Sequence, residues 1–133
     1  MRVFLDANII LDLIDLDRGR SRATKECLKN RLLDGDELCT SCDIFTTIYY
    51  VASKKIAHRT LIEELEKLLE FLTVLPIDFE IVTEALTISK ETGHEDLEDV
   101  LQYLCAKKYR CGVIVTRDKD FFSPDIEIDT CAL

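Results

Sequence analysis

The sequence predicts an α/β fold, a three-layer α/β/α sandwich around a mainly parallel sheet of four or five strands. Three observations predict it. Short apolar runs, such as Val3-Phe4-Leu5 and the "GVIVT" of Gly112–Thr116, alternate with stretches of helical periodicity. The "GVIVT" run is continuously apolar, as a strand covered on both faces must be. The chain of 133 residues, 47% hydrophobic and 32% charged, is also large enough for one globular domain over residues 1–133 and shows no linker or repeat.

Element by element, Arg2–Leu5 reads as the first strand. Asn8 is placed to cap a helix through Ile9, Ile10, Leu13 and Ile14 that ends near Gly19. Ser21 can cap a second helix reaching about Leu33, closed by the "DGDE" turn. Leu38–Thr40 is the second strand, and Ser41 caps a helix carrying Ile44, Ile48 and Val51. Thr60–Leu72 is amphipathic, with Leu61, Leu65, Leu68, Leu69 and Leu72 on one seam. Val74-Leu75-Pro76 suggests a short third strand, and Phe79–Thr92 a helix stopped by Gly93. Leu97–Tyr109 turns Val100, Leu101, Leu104 and Cys105 inward ahead of the "GVIVT" strand, and Ile126–Ile128 suggests a last edge strand.

Composition narrows the function classes. Asp6, Asp12, Asp15 and Asp17 interrupt the one long apolar stretch near the start, which excludes a spanning helix there. The N-terminus lacks the pattern of a signal peptide, so the expected compartment is the cytoplasm, with no membrane attachment. Of six cysteines, Cys39 and Cys42 form a lone CxxC without a second ligand pair, which argues against zinc. The cysteines are expected mostly as small buried apolar residues. A formal charge of −9 argues against bulk attraction to polyanions. Yet "RGRSRATKECLKNR", residues 18–31, sets six basic residues against Glu26 alone, a basic arm on an acidic body.

The carboxylates carry the chemistry. Ligands of parallel α/β sheets gather beyond the carboxyl ends of the strands, near a topological switch point. Asp6 follows the first strand, and Asp118 follows "GVIVT". Asp96 and Asp99 open the helix before that strand, three residues apart and on the same side. Three segments therefore deliver acids to one sheet edge. Two like charges about 4 Å apart repel by about 4 kcal/mol at an effective dielectric of 20, so the cluster needs neutralising. Oxygen ligands favour Mg²⁺ or Mn²⁺, and such ions serve phosphodiester hydrolysis. Each acid also has a plainer reading: Asp6 as a turn residue, Asp96 and Asp99 as helix-dipole acids, Asp118 as a loop acid.

"FLDANIILDLI", followed far downstream by "DLEDVLQYLCAKKYRCGVIVTRDKDFF", resembles the PIN domain, the fold of many VapC-type toxin ribonucleases. The resemblance runs from the first strand to about Phe122. It implies a Mg²⁺- or Mn²⁺-dependent endoribonuclease acting on single-stranded RNA, with Asp6, Asp99 and Asp118 as metal ligands. Asp96 is a second candidate acid, and Asn8 and Thr116 are supporting polar groups. It also implies a homodimer and an antitoxin protein that covers the acidic cleft. One position departs: where PIN domains usually place an acid in the third helix, this chain has Thr47. Asp43, four residues earlier, could substitute, or could merely favour the helix's first turn.

The basic arm supplies Arg18, Arg20, Arg22 and Lys25 for RNA phosphates, with Lys54 and Lys55 as further candidates. A rival reading is a degraded PIN domain that binds RNA or a protein without cutting. Another is a phosphatase using Asp6 as nucleophile, which Asn8 argues against, since haloacid-dehalogenase-like enzymes usually have a second Asp there.

Overall fold

A computed structural model describes residues 1–15 and 17–131 of the chain. Among these residues five strands, β1 (Arg2–Leu5), β2 (Glu37–Ser41), β3 (Leu72–Leu75), β4 (Cys111–Val115) and β5 (Glu127–Asp129), form one sheet in the order β3-β2-β1-β4-β5. Every neighbouring pair is parallel. Among the described residues six helices, α1 (Ala7–Ile14), α2 (Ser21–Leu33), α3 (Ile44–Ala52), α4 (His58–Leu68), α5 (Phe79–Thr92) and α6 (Leu97–Lys108), cover its two faces. The expected three layers are present, with five strands.

Strand pleating sorts the core. Val3 and Leu5 of β1 face one side, packing with Leu38, Val113, Val115 and the apolar residues of α1, α3 and α4. Phe4 faces the other side, with Cys39, Ile114 and the inner residues of α5 and α6. Leu5, Ile9 and Ile48 are completely buried, so truncating any one of them to alanine costs about 2–5 kcal/mol.

Several element ends differ from expectation. Asp6, not Asn8, caps α1, because its carboxylate accepts from the Ala7 amide at 2.7 Å. That helix stops at Ile14 rather than near Gly19, with the Asp15 amide closing it onto the Leu11 carbonyl. Ser21 is already helical, and its hydroxyl donates to the Asp12 carbonyl at 2.6 Å. Ser41 ends β2 and donates to Asp43, the residue at the N-terminus of α3, instead of capping that helix. The helix expected at Thr60–Leu72 spans His58–Leu68, because Leu72 is recruited to β3. Gly93 ends α5 in the left-handed region at φ 72°, where glycine carries no Cβ penalty.

The cysteines require a correction. Cys39, Cys105 and Cys111 are buried as expected and Cys42 is exposed, but Cys27 and Cys131 form a disulfide between α2 and the segment after β5. No helix among the described residues is long and apolar enough to cross a membrane.

Candidate active site

The chain builds β1, β2 and β3 outward on one side of the sheet, then returns to place β4 and β5 on the other. The switch point therefore lies between β1 and β4. Asp6 leaves β1 there, beside Thr116, the first residue after β4. The Thr116 hydroxyl, completely buried, donates to Asp6 Oδ2 at 2.8 Å. The Asn8 amide reaches both groups, at 3.4 Å to Asp6 Oδ2 and 3.5 Å to Thr116 Oγ1. The same Thr116 Oγ1 accepts from the Asp118 amide at 3.1 Å, which turns the loop so that Asp118 stands exposed beside Asp6.

The third segment is the start of α6. Asp96 caps it, accepting from the Asp99 amide at 3.1 Å, while Asp99 itself is buried. Burial, and then the charges of Asp96, Asp6, Asp118 and Glu98, push the Asp99 carboxyl from the ordinary 3.8 up to about 7. Burial also raises Asp6, assisted by Asp118 and Asp96 and opposed by the bonds from Thr116 and Ala7. The acids predicted from sequence thus feel one another. Their carboxylates are spaced more widely than a tight ligand cluster. Among the described residues, the set of ligand atoms lying within 4.8 Å of one another is Cys27, Asp129 and Cys131, and its sulfurs are joined to each other.

Glu98 completes the picture at the position sequence reasoning left open. Its Oε2 accepts from the Thr47 hydroxyl at 3.0 Å, and Gln102 donates to Oε1 at 3.1 Å. Burial raises its carboxyl, opposed by Thr47 and reinforced by Asp43, Asp6 and Asp96. A carboxylate from α6 thus stands where α3 has none. Asp43 stays on the α3 side, held by the Ser41 hydroxyl and raised by its burial. His94 also flanks the site. Its Nε2 is 3.7 Å from Asp99 Oδ2, beyond hydrogen-bond reach, and its ring packs 5.2 Å from that of Phe122. The oxygen-only site expected from sequence therefore has one nitrogen at its margin.

Residues 3–126 match the family model of the PIN domain. The chain belongs to the PIN domain family. This PIN domain is 35% identical over 130 residues to Ribonuclease VapC1 of Aquifex aeolicus (strain VF5), covering 97% of this chain and 90% of that one. Its fold is similar to that of VapBC2 from Rickettsia felis bound to a promoter DNA fragment. The TM-score is 0.74 at 17% identity, over 97% of this chain and 98% of that one. A toxin–antitoxin complex from Klebsiella pneumoniae gives 0.72 at 21% identity, over 98% of both chains.

The basic residues of this PIN domain divide into two groups. Arg18 bonds the Asp12 carboxylate at 2.8 Å, whereas Arg20, Arg22 and Lys25 are exposed. A cavity of about 500 Å³ opens beside Arg18, Arg22 and Lys25. Lys54 and Lys55 are exposed at the end of α3, and Lys55 lies 3.5 Å from Asp15.

Proposed function

We propose that this PIN domain, a single unit over residues 1–133, is a Mg²⁺- or Mn²⁺-dependent endoribonuclease that cleaves single-stranded RNA as the toxin of a toxin–antitoxin pair. The observation that carries the reading is the convergence of Asp6, Glu98, Asp99 and Asp118 at the switch point, with Asp99 pushed up to about 7 by its burial and then by the neighbouring acids. Excess negative charge on hard oxygen donors fits a divalent cation. Asp6, Asp99 and Asp118 would hold it, with Asp96 or Glu98 adding a further carboxylate. When bound, the cation supplies Lewis acidity toward a phosphate oxygen and makes water acidic enough to react near neutral pH.

The chain's own residues do the rest. Thr116 and Asn8 orient Asp6, and Thr47 orients Glu98. A carboxylate left free beside the cation would take the proton of the attacking water. Arg20, Arg22 and Lys25 hold backbone phosphates, so that an acidic protein meets RNA through one basic face. Arg18 contributes less, because Asp12 already takes part of its charge. The ribonuclease and toxin–antitoxin relatives support this reading and an antitoxin partner, and the proposal extends to a homodimer in the cytoplasm.

The second reading, an RNA- or protein-binding PIN domain without cleavage, draws its support from the uncharged Thr47 in α3. Glu98 weakens it by supplying a carboxylate at that point. Incubating the protein with single-stranded RNA in Mn²⁺ separates the two. Cleavage by the parent, with none by Asp118→Asn, supports the enzyme. Retention of intact RNA by both supports the binder.

A further inference from the structure

Asp12 belongs to the opening acidic segment but not to the acid cluster. It is completely buried, and both carboxylate oxygens are taken. Arg18 Nε donates to Oδ1 at 2.8 Å, the Thr24 hydroxyl donates to Oδ2 at 2.7 Å, and Arg117 donates to Oδ2 as well. A buried carboxylate persists only when paired, and two guanidinium groups and a hydroxyl satisfy this one.

Arg117 sits between the two site residues of the loop after β4. Its neighbours face the acids: Thr116 bonds Asp6, and Asp118 joins the cluster. Its own side chain runs to α1 and α2, where it also meets the Thr24 hydroxyl and the Arg20 carbonyl. Past Val115 the sheet ladder ends. The Thr116 amide still reaches the Asp129 carbonyl at 3.0 Å, but among the described residues the Arg117 amide has only Asn8 Oδ1, at 3.4 Å.

We propose that Asp12 and Arg117 form a positioning pair, in which the buried carboxylate anchors the Arg117 guanidinium and so fixes the 116–118 backbone that presents Asp118 to the cation. The proposal rests on the cation site described above. It gives Arg117 a task that its exposed neighbour Lys119 does not share. It also links the basic arm to the site, because Arg18, Arg20 and Ser21 all meet the same pair.

The test compares Arg117→Gln, Arg117→Lys and Arg18→Gln in the full chain, by calorimetric Mn²⁺ titration, melting temperature and amide hydrogen exchange. Both glutamine variants remove one guanidinium from Asp12, so both should lower the melting temperature. Only Arg117→Gln frees the loop. It should weaken Mn²⁺ binding about 10-fold or more, the usual consequence of losing a residue that orients a ligand. It should also speed exchange of the Asp118 and Asp120 amides, which bond Thr116 Oγ1 and Asp118 Oδ1. Arg117→Lys should recover part of the affinity. Equal loss of Mn²⁺ affinity in the two glutamine variants, or unchanged affinity and exchange in Arg117→Gln, would overturn the pair's positioning role. A parent that binds no Mn²⁺ would refute the cation site instead, and the exchange rates alone would then decide whether the pair holds the loop.

Discussion

The Thr47 hydroxyl of α3 donates to the Glu98 carboxylate of α6 at 3.0 Å. A helix without an acid is thereby coupled to one that has an extra acid. On the proposed reading, Glu98 supplies at the sheet edge the carboxylate that α3 lacks.

Relocation is testable by exchange. Glu98→Ala should weaken Mn²⁺ binding measurably, and adding Thr47→Glu to that variant should restore it. In the parent, Thr47→Glu sets a second carboxylate against Glu98 and should lower stability instead. Calorimetry on the three variants decides. Failure of the double variant to recover affinity would mean that Glu98 serves the fold and not the cation.

The raised Asp99 carboxyl gives a signed pH dependence. Unfolded, this group titrates near 3.8; folded, it holds its proton up to about 7. Between those values the folded state binds the extra proton, so metal-free stability falls as pH rises through that window. Mn²⁺ must displace the proton, so its affinity rises over the same range. Melting curves of parent and Asp99→Asn from pH 5 to 8 check both trends. The parent should lose stability relative to the variant as pH rises, and parallel curves would show that Asp99 is not raised.

The Cys27–Cys131 disulfide spans a sequence separation of 104 residues. Chain entropy assigns a closed loop of that length about 4.7 kcal/mol of stabilisation. Reductant should therefore lower the melting temperature of the parent and leave a Cys27→Ser, Cys131→Ser variant unmoved. An identical response from both would show that the two thiols are unbonded in solution.

The basic arm should act on RNA alone. Replacing Arg20, Arg22 and Lys25 with glutamine should weaken RNA binding and flatten its dependence on salt, since each lost phosphate contact releases fewer counterions. Mn²⁺ affinity should not change. An unaltered salt slope would place the RNA path elsewhere.

What the sequence made legible was local. Val3–Leu5 and "GVIVT" read as strands because each is a short apolar run, and Asp6 and Asp118 were visible as the acids that follow them. Glu98 was passed over because helix geometry favours the Asp96–Asp99 pairing, and the next position around points elsewhere on the same turn. Only the packing of α6 beside α3 brings it to Thr47. The polar pair Thr46-Thr47 within the largely apolar "IFTTIYYV" was the available signal. Arg117 was hidden in the same way, since its partner Asp12 lies 105 residues away. The disulfide could not be read from spacing, and the start of β3 was misplaced because Leu72 fits a helical seam as well as a strand.

The most direct measurement is the melting temperature of the parent and of Asp6→Asn, each with and without Mn²⁺. Asn keeps the shape of Asp6 and remains a good helix cap, but removes one charge from the cluster. The variant should melt higher than the parent without metal, because repulsion with Asp118 and Asp96 is relieved. It should also lose the added stability that Mn²⁺ gives the parent by mass action. A variant that melts lower and still responds fully to Mn²⁺ would make Asp6 a structural turn residue, and would contradict a cation site built on the end of β1.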